Sequence, residues 1–166
     1  MVLEDKYMQR TIIIDYDKCI GCKTCETICS LVHEGRINPS EARITILKYE
    51  ETGTNVPSLC EKCEDPLCMA ACPTKAISFD PYLGTQIDYS RCITCKLCIM
   101  ACPIGGVSVN PTSKSVIMCD LCQGDPQCVK SCPEHALQYA DISTLYSKKR
   151  REGVKKLARF LEVASS

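Results

Sequence analysis

The sequence has no tryptophan and only two phenylalanines among its 166 residues. A core of large apolar side chains would be thin, so covalent or metal staples must supply part of the folding energy. Long apolar runs are missing too. The longest uncharged stretch, Leu97 to Ser113, contains two Cys, two Pro and two Gly, which rules it out as a membrane-spanning helix. The opening residues MVLEDKYMQRTIII carry acids early and lack the apolar stretch and small-residue cleavage site of a secretory signal. Arg150-Arg151 lies too far along the chain to act as a twin-arginine export signal. Phosphate loop, dinucleotide fingerprint and nucleophile elbow are all absent. The expectation is a non-catalytic, cytoplasmic protein.

Net charge is also lacking, at a formal zero, but it is unevenly spread. Residues 141–166 hold seven Lys or Arg against three Asp or Glu, which leaves residues 1–140 with thirteen against seventeen. An acidic body with a basic tail lacks the basic groove that tracks a phosphate backbone, so nucleic acid is excluded as a partner.

What the chain has is cysteine, sixteen in all, in four groups of four with none left over. They are Cys19, Cys22, Cys25, Cys29; Cys60, Cys63, Cys68, Cys72; Cys92, Cys95, Cys98, Cys102; and Cys119, Cys122, Cys128, Cys132. The flanks repeat as well. Residues 14-IDYDKCIGCKTCETIC-29 align without a gap on 87-IDYSRCITCKLCIMAC-102, and Cys-Pro closes groups two, three and four. Each unit reads as strand, cysteine loop, short helix and strand. The leading strands fall at 11–16, 85–89 and 115–118, and the trailing ones within 72–79, 102–109 and 132–139. Proline after the last cysteine stops each short helix. Group one ends in Cys29-Ser30 instead, so its helix is expected to run on to a stop at Gly35. The insertion that follows, residues 30–59, is expected to hold a strand at 43–50 and a turn-rich loop at 51–57.

Disulfides need an oxidising compartment, and zinc ribbons use separated pairs of C-x2-C. Here every group packs a triplet within ten residues. Groups one and three match the ferredoxin run C-x2-C-x2-C-x3-C, and groups two and four widen its middle gap. In that pattern three thiolates wrap three corners of a [4Fe–4S] cluster and the fourth cysteine ligates the other cluster of a pair. Groups two and three are joined by 19 residues, a normal module length, which leaves groups one and four to pair around them. The fold class expected is α+β, with a ferredoxin-like module at 60–114 nested inside a split one formed by 10–29 and 115–140. The ligand sets expected are Cys19, Cys22, Cys25 with Cys132; Cys60, Cys63, Cys68 with Cys102; Cys92, Cys95, Cys98 with Cys72; and Cys119, Cys122, Cys128 with Cys29. Four [4Fe–4S] clusters are the expected cofactors.

Other candidates carry less. With all cluster corners filled, His33 and His135 are expected to be surface or packing residues. Gly105-Gly106 is expected to be a turn or a close approach to a cluster. In the basic tail of 141–166, Val154, Leu157, Ala158 and Leu161 fall at helical spacing. That helix packs on its own body, docks a partner protein or lies on a membrane surface.

Four cysteine groups in this order resemble the four-cluster iron–sulfur subunits of molybdenum and tungsten enzymes, over about residues 10–140. Within that family, 29-CSLVHEGRINPSEARITI-46 looks like the small subunits of tungsten aldehyde oxidoreductases, with similar subunits in tungsten benzoyl-CoA reductases. The resemblance implies a relay of single electrons. A large tungsten- or molybdenum-cofactor catalytic subunit would stand on one side. A flavin-containing NAD(P)-reducing subunit or a ferredoxin would stand on the other. It also leaves room for end-to-end self-association. Compared with larger members, the chain has neither a long C-terminal extension nor a membrane anchor, which implies a soluble complex. A free polyferredoxin, a relay for a formate dehydrogenase or hydrogenase, and a redox-sensing regulator are the alternatives. A sensor would want a DNA-binding element, and none is visible. Deleting residues 148–166 removes no cysteine, so the truncated protein should keep its iron and visible spectrum. If the tail docks a partner, co-purification of that partner should be lost; an intact complex would return the tail to packing.

Overall fold

The computed structural model describes residues 10–141. The tail reading lies outside the described residues. Eight short strands and four helices follow one another in the expected repeat. Strand β1 is Arg10–Ile14 and helix α1 is Thr24–Glu34. The insertion forms β2, Ile44–Tyr49, and β3, Thr54–Leu59. Helix α2 is Leu67–Ala70, followed by β4, Ile77–Asp80, and β5, Gly84–Ile87. Helix α3 is Leu97–Ala101, followed by β6, Val107–Val109, and β7, Val116–Met118. Helix α4, Gln127–Lys130, and β8, Leu137–Asp141, complete the set.

The strands form four separate antiparallel pairs, β1–β8, β2–β3, β4–β5 and β6–β7. The first joins the two ends of the described chain, with Arg10 opposite Asp141 and Ile14 opposite Leu137. Helix α1 packs on α4 and α2 on α3. Hairpin β6–β7 crosses the boundary expected near residue 114, with Val107 opposite Met118.

Helix α1 continues past Cys29 because Ser30 replaces the proline stop. The Ser30 hydroxyl donates back to the Thr27 carbonyl at 3.0 Å and accepts from Asn38 N–H at 3.1 Å. The helix ends where Gly35 adopts φ 69°, a left-handed cap that glycine reaches without strain. The loop expected at 51–57 needs correcting. Only the turn itself is irregular, and Thr54–Leu59 is a strand paired along its length with β2, Val56 opposite Leu47 and Pro57 opposite Ile46. Turn residues hid a strand whose partner supplies most of the apolar pattern.

The insertion is anchored by a buried carboxylate. Glu41 has no exposed surface and takes two bonds from Arg36, at 2.9 and 2.5 Å, and a short one from the Thr112 hydroxyl. Hydrogen bonding to Arg36 and Thr112 holds its carboxyl down at about 2. A second acid, Glu26 of α1, accepts from Ile46 N–H at 2.6 Å and pins β2 on the helix.

The repeated units share a turn that their side chains conceal. The residue before the second cysteine of each group has positive φ: Gly21 (68°), Lys62 (57°), Thr94 (55°) and Leu121 (58°). Three residues past the last cysteine, Lys75 (53°), Gly105 (68°) and His135 (50°) do the same. Such left-handed residues turn successive N–H groups toward one side, the geometry of an anion-binding nest. At Gly105-Gly106, expected to be a turn or a close approach to a cluster, Gly105 has φ 68° and Gly106 packs against the backbone of the group-two segment. A Cβ there would lie 2.6 Å from the Cys60 Cα and 2.9 Å from the Leu59 carbonyl oxygen. Gly106→Ala should therefore cost about 1–3 kcal/mol by overpacking against backbone. An anaerobic thermal melt followed by visible absorbance should show a lower midpoint, and an unchanged midpoint would contradict the close packing.

Candidate metal centres

Each cysteine loop is held open by its left-handed residues, and the helix after it carries the third thiol inward. Cys25, Cys68, Cys98 and Cys128 are all buried. The structure gathers the thiols across groups. One hollow is lined by Cys19, Cys22, Cys25 and Cys132. A second is lined by Cys92, Cys95, Cys98 and Cys72. A third is lined by Cys119, Cys122, Cys128 and Cys29. The remaining four are also neighbours. Burial pushes the Cys68 thiol up to about 11, and the charges of Cys60, Cys102 and Cys63 add to the rise.

Burial likewise raises Cys25 and Cys119 to about 12, and Cys128 further still, with Cys119, Cys29 and Cys122 beside it. Four thiolates in one such hollow repel each other and need cations between them. Each set holds four sulfurs, with His33 and Asp120 also lining the third hollow, and N–H groups point at some of the thiols. Arg43 N–H lies 3.3 Å from Cys29 Sγ and Ala76 N–H 3.2 Å from Cys72 Sγ. Hydrogen bonds of that kind favour the anionic thiolate. All of this fits polynuclear iron–sulfur clusters.

Sequence reasoning missed the charges packed around the fourth set. His33 is a packing residue, as expected, but it packs on this site. Its Nδ1 donates to the Cys29 carbonyl at 2.8 Å and lies 3.7 Å from Cys29 Sγ, while Nε2 donates to Asp120 at 3.0 Å. These bonds, led by the one to Asp120, raise the imidazole to about 12 and keep it protonated. Arg43 meets the other Asp120 oxygen at 2.6 Å. Burial works against the Asp120 carboxylate, but His33 and Arg43 outweigh it and hold the group below the usual range. Asp120 also caps the loop through Cys122 N–H at 3.0 Å. Only the spacing of His33 four residues after Cys29, one helical turn, could have flagged it. His135 is exposed, with no such role.

A family model described as a 4Fe-4S dicluster domain matches residues 59–106, and one described as a 4Fe-4S binding domain matches residues 11–37. These two segments therefore match 4Fe-4S families. Among its relatives, the polyferredoxin-like subunit of an aliphatic sulfonate oxidoreductase from Pyrococcus furiosus is 47% identical over 85 residues, 51% of this chain and 49% of that protein. Formate hydrogenlyase subunit 2 of Escherichia coli is 38% identical over 90 residues, 54% of this chain and 43% of that one. Electron transport protein HydN of Escherichia coli is 38% identical over 98 residues, 54% of this chain and 53% of that one. The chain thus spans about half the length of the curated relatives it matches. A chain in the active site complex BamBC of benzoyl coenzyme A reductase, bound to benzoyl-CoA, aligns at 27% identity and a TM-score of 0.49, covering 92% of this chain and 96% of that one. Among the described residues no helix is long and apolar enough to cross a membrane.

Asp120 joins two cations and a loop cap, so Asp120→Asn should lower stability by about 1.5–3 kcal/mol, the range for hydrogen bonds to charged groups. The anaerobic denaturant midpoint of the iron-loaded protein should fall accordingly. A wild-type midpoint would mean the cluster of charges is ornamental.

Proposed function

We propose that this chain is an electron-relay subunit that holds four [4Fe–4S] clusters between the catalytic subunit of an oxidoreductase and a second redox partner. The observation that carries the reading is the gathering of thiols across groups: three from one group and one from a distant group around each hollow. On this reading the ligand sets are Cys19, Cys22, Cys25 and Cys132; Cys60, Cys63, Cys68 and Cys102; Cys92, Cys95, Cys98 and Cys72; and Cys119, Cys122, Cys128 and Cys29. The β1–β8 pair and the packing of α1 on α4 support a split outer ferredoxin module around an inner one.

When bound, a [4Fe–4S] cluster takes up and gives back one electron. The protein's part is to hold, shield and tune. Cys22 and Cys95 are the exposed cysteines, each in a different set, and they offer two places where a partner's redox centre can come close. Exposed Ile20 lies beside the first, and exposed Ile93, Leu97 and Met100 lie near the second. The other two sets have no exposed thiol and suit the interior of a relay. The names of the relatives support an oxidoreductase complex as the setting. A tungsten- or molybdenum-cofactor catalytic subunit is the partner proposed, and a flavin-containing subunit or ferredoxin the second.

Anaerobically purified protein should hold about sixteen iron and sixteen acid-labile sulfide, four of each per cluster. Chelating the iron should unfold it, because metal binding supplies folding energy to so small a core. Zinc in place of iron would overturn the reading. The crossing has its own check. Cys29→Ser and Cys119→Ser should disturb the same EPR or Mössbauer signal, and Cys19→Ser a different one. If Cys29→Ser and Cys19→Ser disturb the same signal, each loop serves its own cluster.

A further inference from the structure

Lys62 lies in the loop of group two, yet its side chain is 1% exposed. Its ammonium donates to the Thr85 carbonyl at 2.6 Å and to the Cys119 carbonyl at 2.5 Å. Lys62 therefore sits between Cys60 and Cys63 in sequence and beside Cys119 of group four in space. The Thr85 hydroxyl lies 3.5 Å from Cys60 Sγ, so Thr85, whose carbonyl Lys62 holds, joins the ammonium to the Cys60 side of the junction. The matching left-handed positions in the other loops are Gly21, Thr94 and Leu121. Thr94 is exposed and Gly21 has no side chain, whereas Lys62 and Leu121 are sealed inside. Lys62 alone of the four puts a cation there. A buried lysine loses its hydration, so its place needs an electrostatic return.

We propose that Lys62 is a positioning and tuning residue that links the inner module to the outer one and raises the potentials of the two clusters that meet at that junction. The inference rests on the ligand sets proposed above. The junction sites are those of Cys60, Cys63, Cys68, Cys102 and of Cys119, Cys122, Cys128, Cys29. Each electron that enters either site adds one negative charge, and a fixed cation at low dielectric offsets it. The sites with exposed Cys22 and Cys95 lie in other sets and have water to do the same work.

The test is an anaerobic redox titration of the full, iron-loaded chain, read by EPR. Cys60→Ser, Cys119→Ser, Cys22→Ser and Cys95→Ser identify which signal belongs to which site. Lys62→Met should lower the midpoints of the two junction signals by about 59 mV, a tenfold change in the reduced-to-oxidised ratio at fixed potential. The other two signals should stay within a fraction of that. Lys62→Arg should restore most of the shift, and Lys62→Gln should not, since it keeps a donor and loses the charge. Unmoved junction midpoints, or an equal shift at all four sites, would overturn the proposal. A Lys62→Met chain that loses about half its iron, from the junction sites alone, supports the linking role; uniform loss from all four sites counts against it. Wild-type protein with fewer than sixteen iron would fault the ligand sets instead, which separates the two failures.

Discussion

Sulfur crowded against sulfur is the condition on which the rest of the molecule depends. Each hollow gathers four thiols, and burial has already lifted several of them well above an ordinary cysteine. Left empty, such a hollow is a pocket of neutral thiols with little to bind its walls together. Filled by cationic iron, it becomes the strongest cross-link available to a chain with no tryptophan and few large apolar groups. The strands reflect this. None is longer than six residues, and each pairs with a single neighbour, too little for independent stability. They orient the cysteine loops, and the metal centres hold the strands.

The left-handed turns explain how one design accommodates four different loops. Group four stretches the middle gap by three residues relative to group one, yet both place a positive-φ residue before the second cysteine. Backbone conformation is what the loops share. Side chains at that position range from none at Gly21 to the sealed Leu121 and Lys62, so each site can be wrapped alike and tuned apart.

Much of this was legible in the residues. Cysteine spacing, the gapless match of 14–29 with 87–102, and the missing proline after Cys29 gave the repeat, the ligand candidates and the long helix α1. Those signals are local, and the chemistry tolerates little variation in them. Strand β3 was not legible, because 51-ETGTNVP-57 reads as turn and its strand character depends on β2 across the hairpin. The charges at the sites were invisible for a related reason. His33 finds Asp120 across 87 residues of sequence, and Lys62 finds the Cys119 carbonyl across 57. No periodicity announces a contact of that kind. Lys62 looked like any surface lysine in a polar loop, and only the fold encloses it.

The pairing of β1 with β8 sets an order of assembly. The chain must close about 130 residues before Arg10 reaches Asp141, and loop closure of that length is entropically costly. On a ribosome, Cys19, Cys22 and Cys25 emerge first and Cys132 long afterwards, while the inner segment has all its cysteines by residue 102. With the proposed crossing, the earliest thiols to be made are among the last to be completed. Until then they stand as an open three-sulfur site, prone to oxidation or to the wrong metal. A host that makes this protein needs low oxygen, or an iron-delivery system that waits for the C-terminal half.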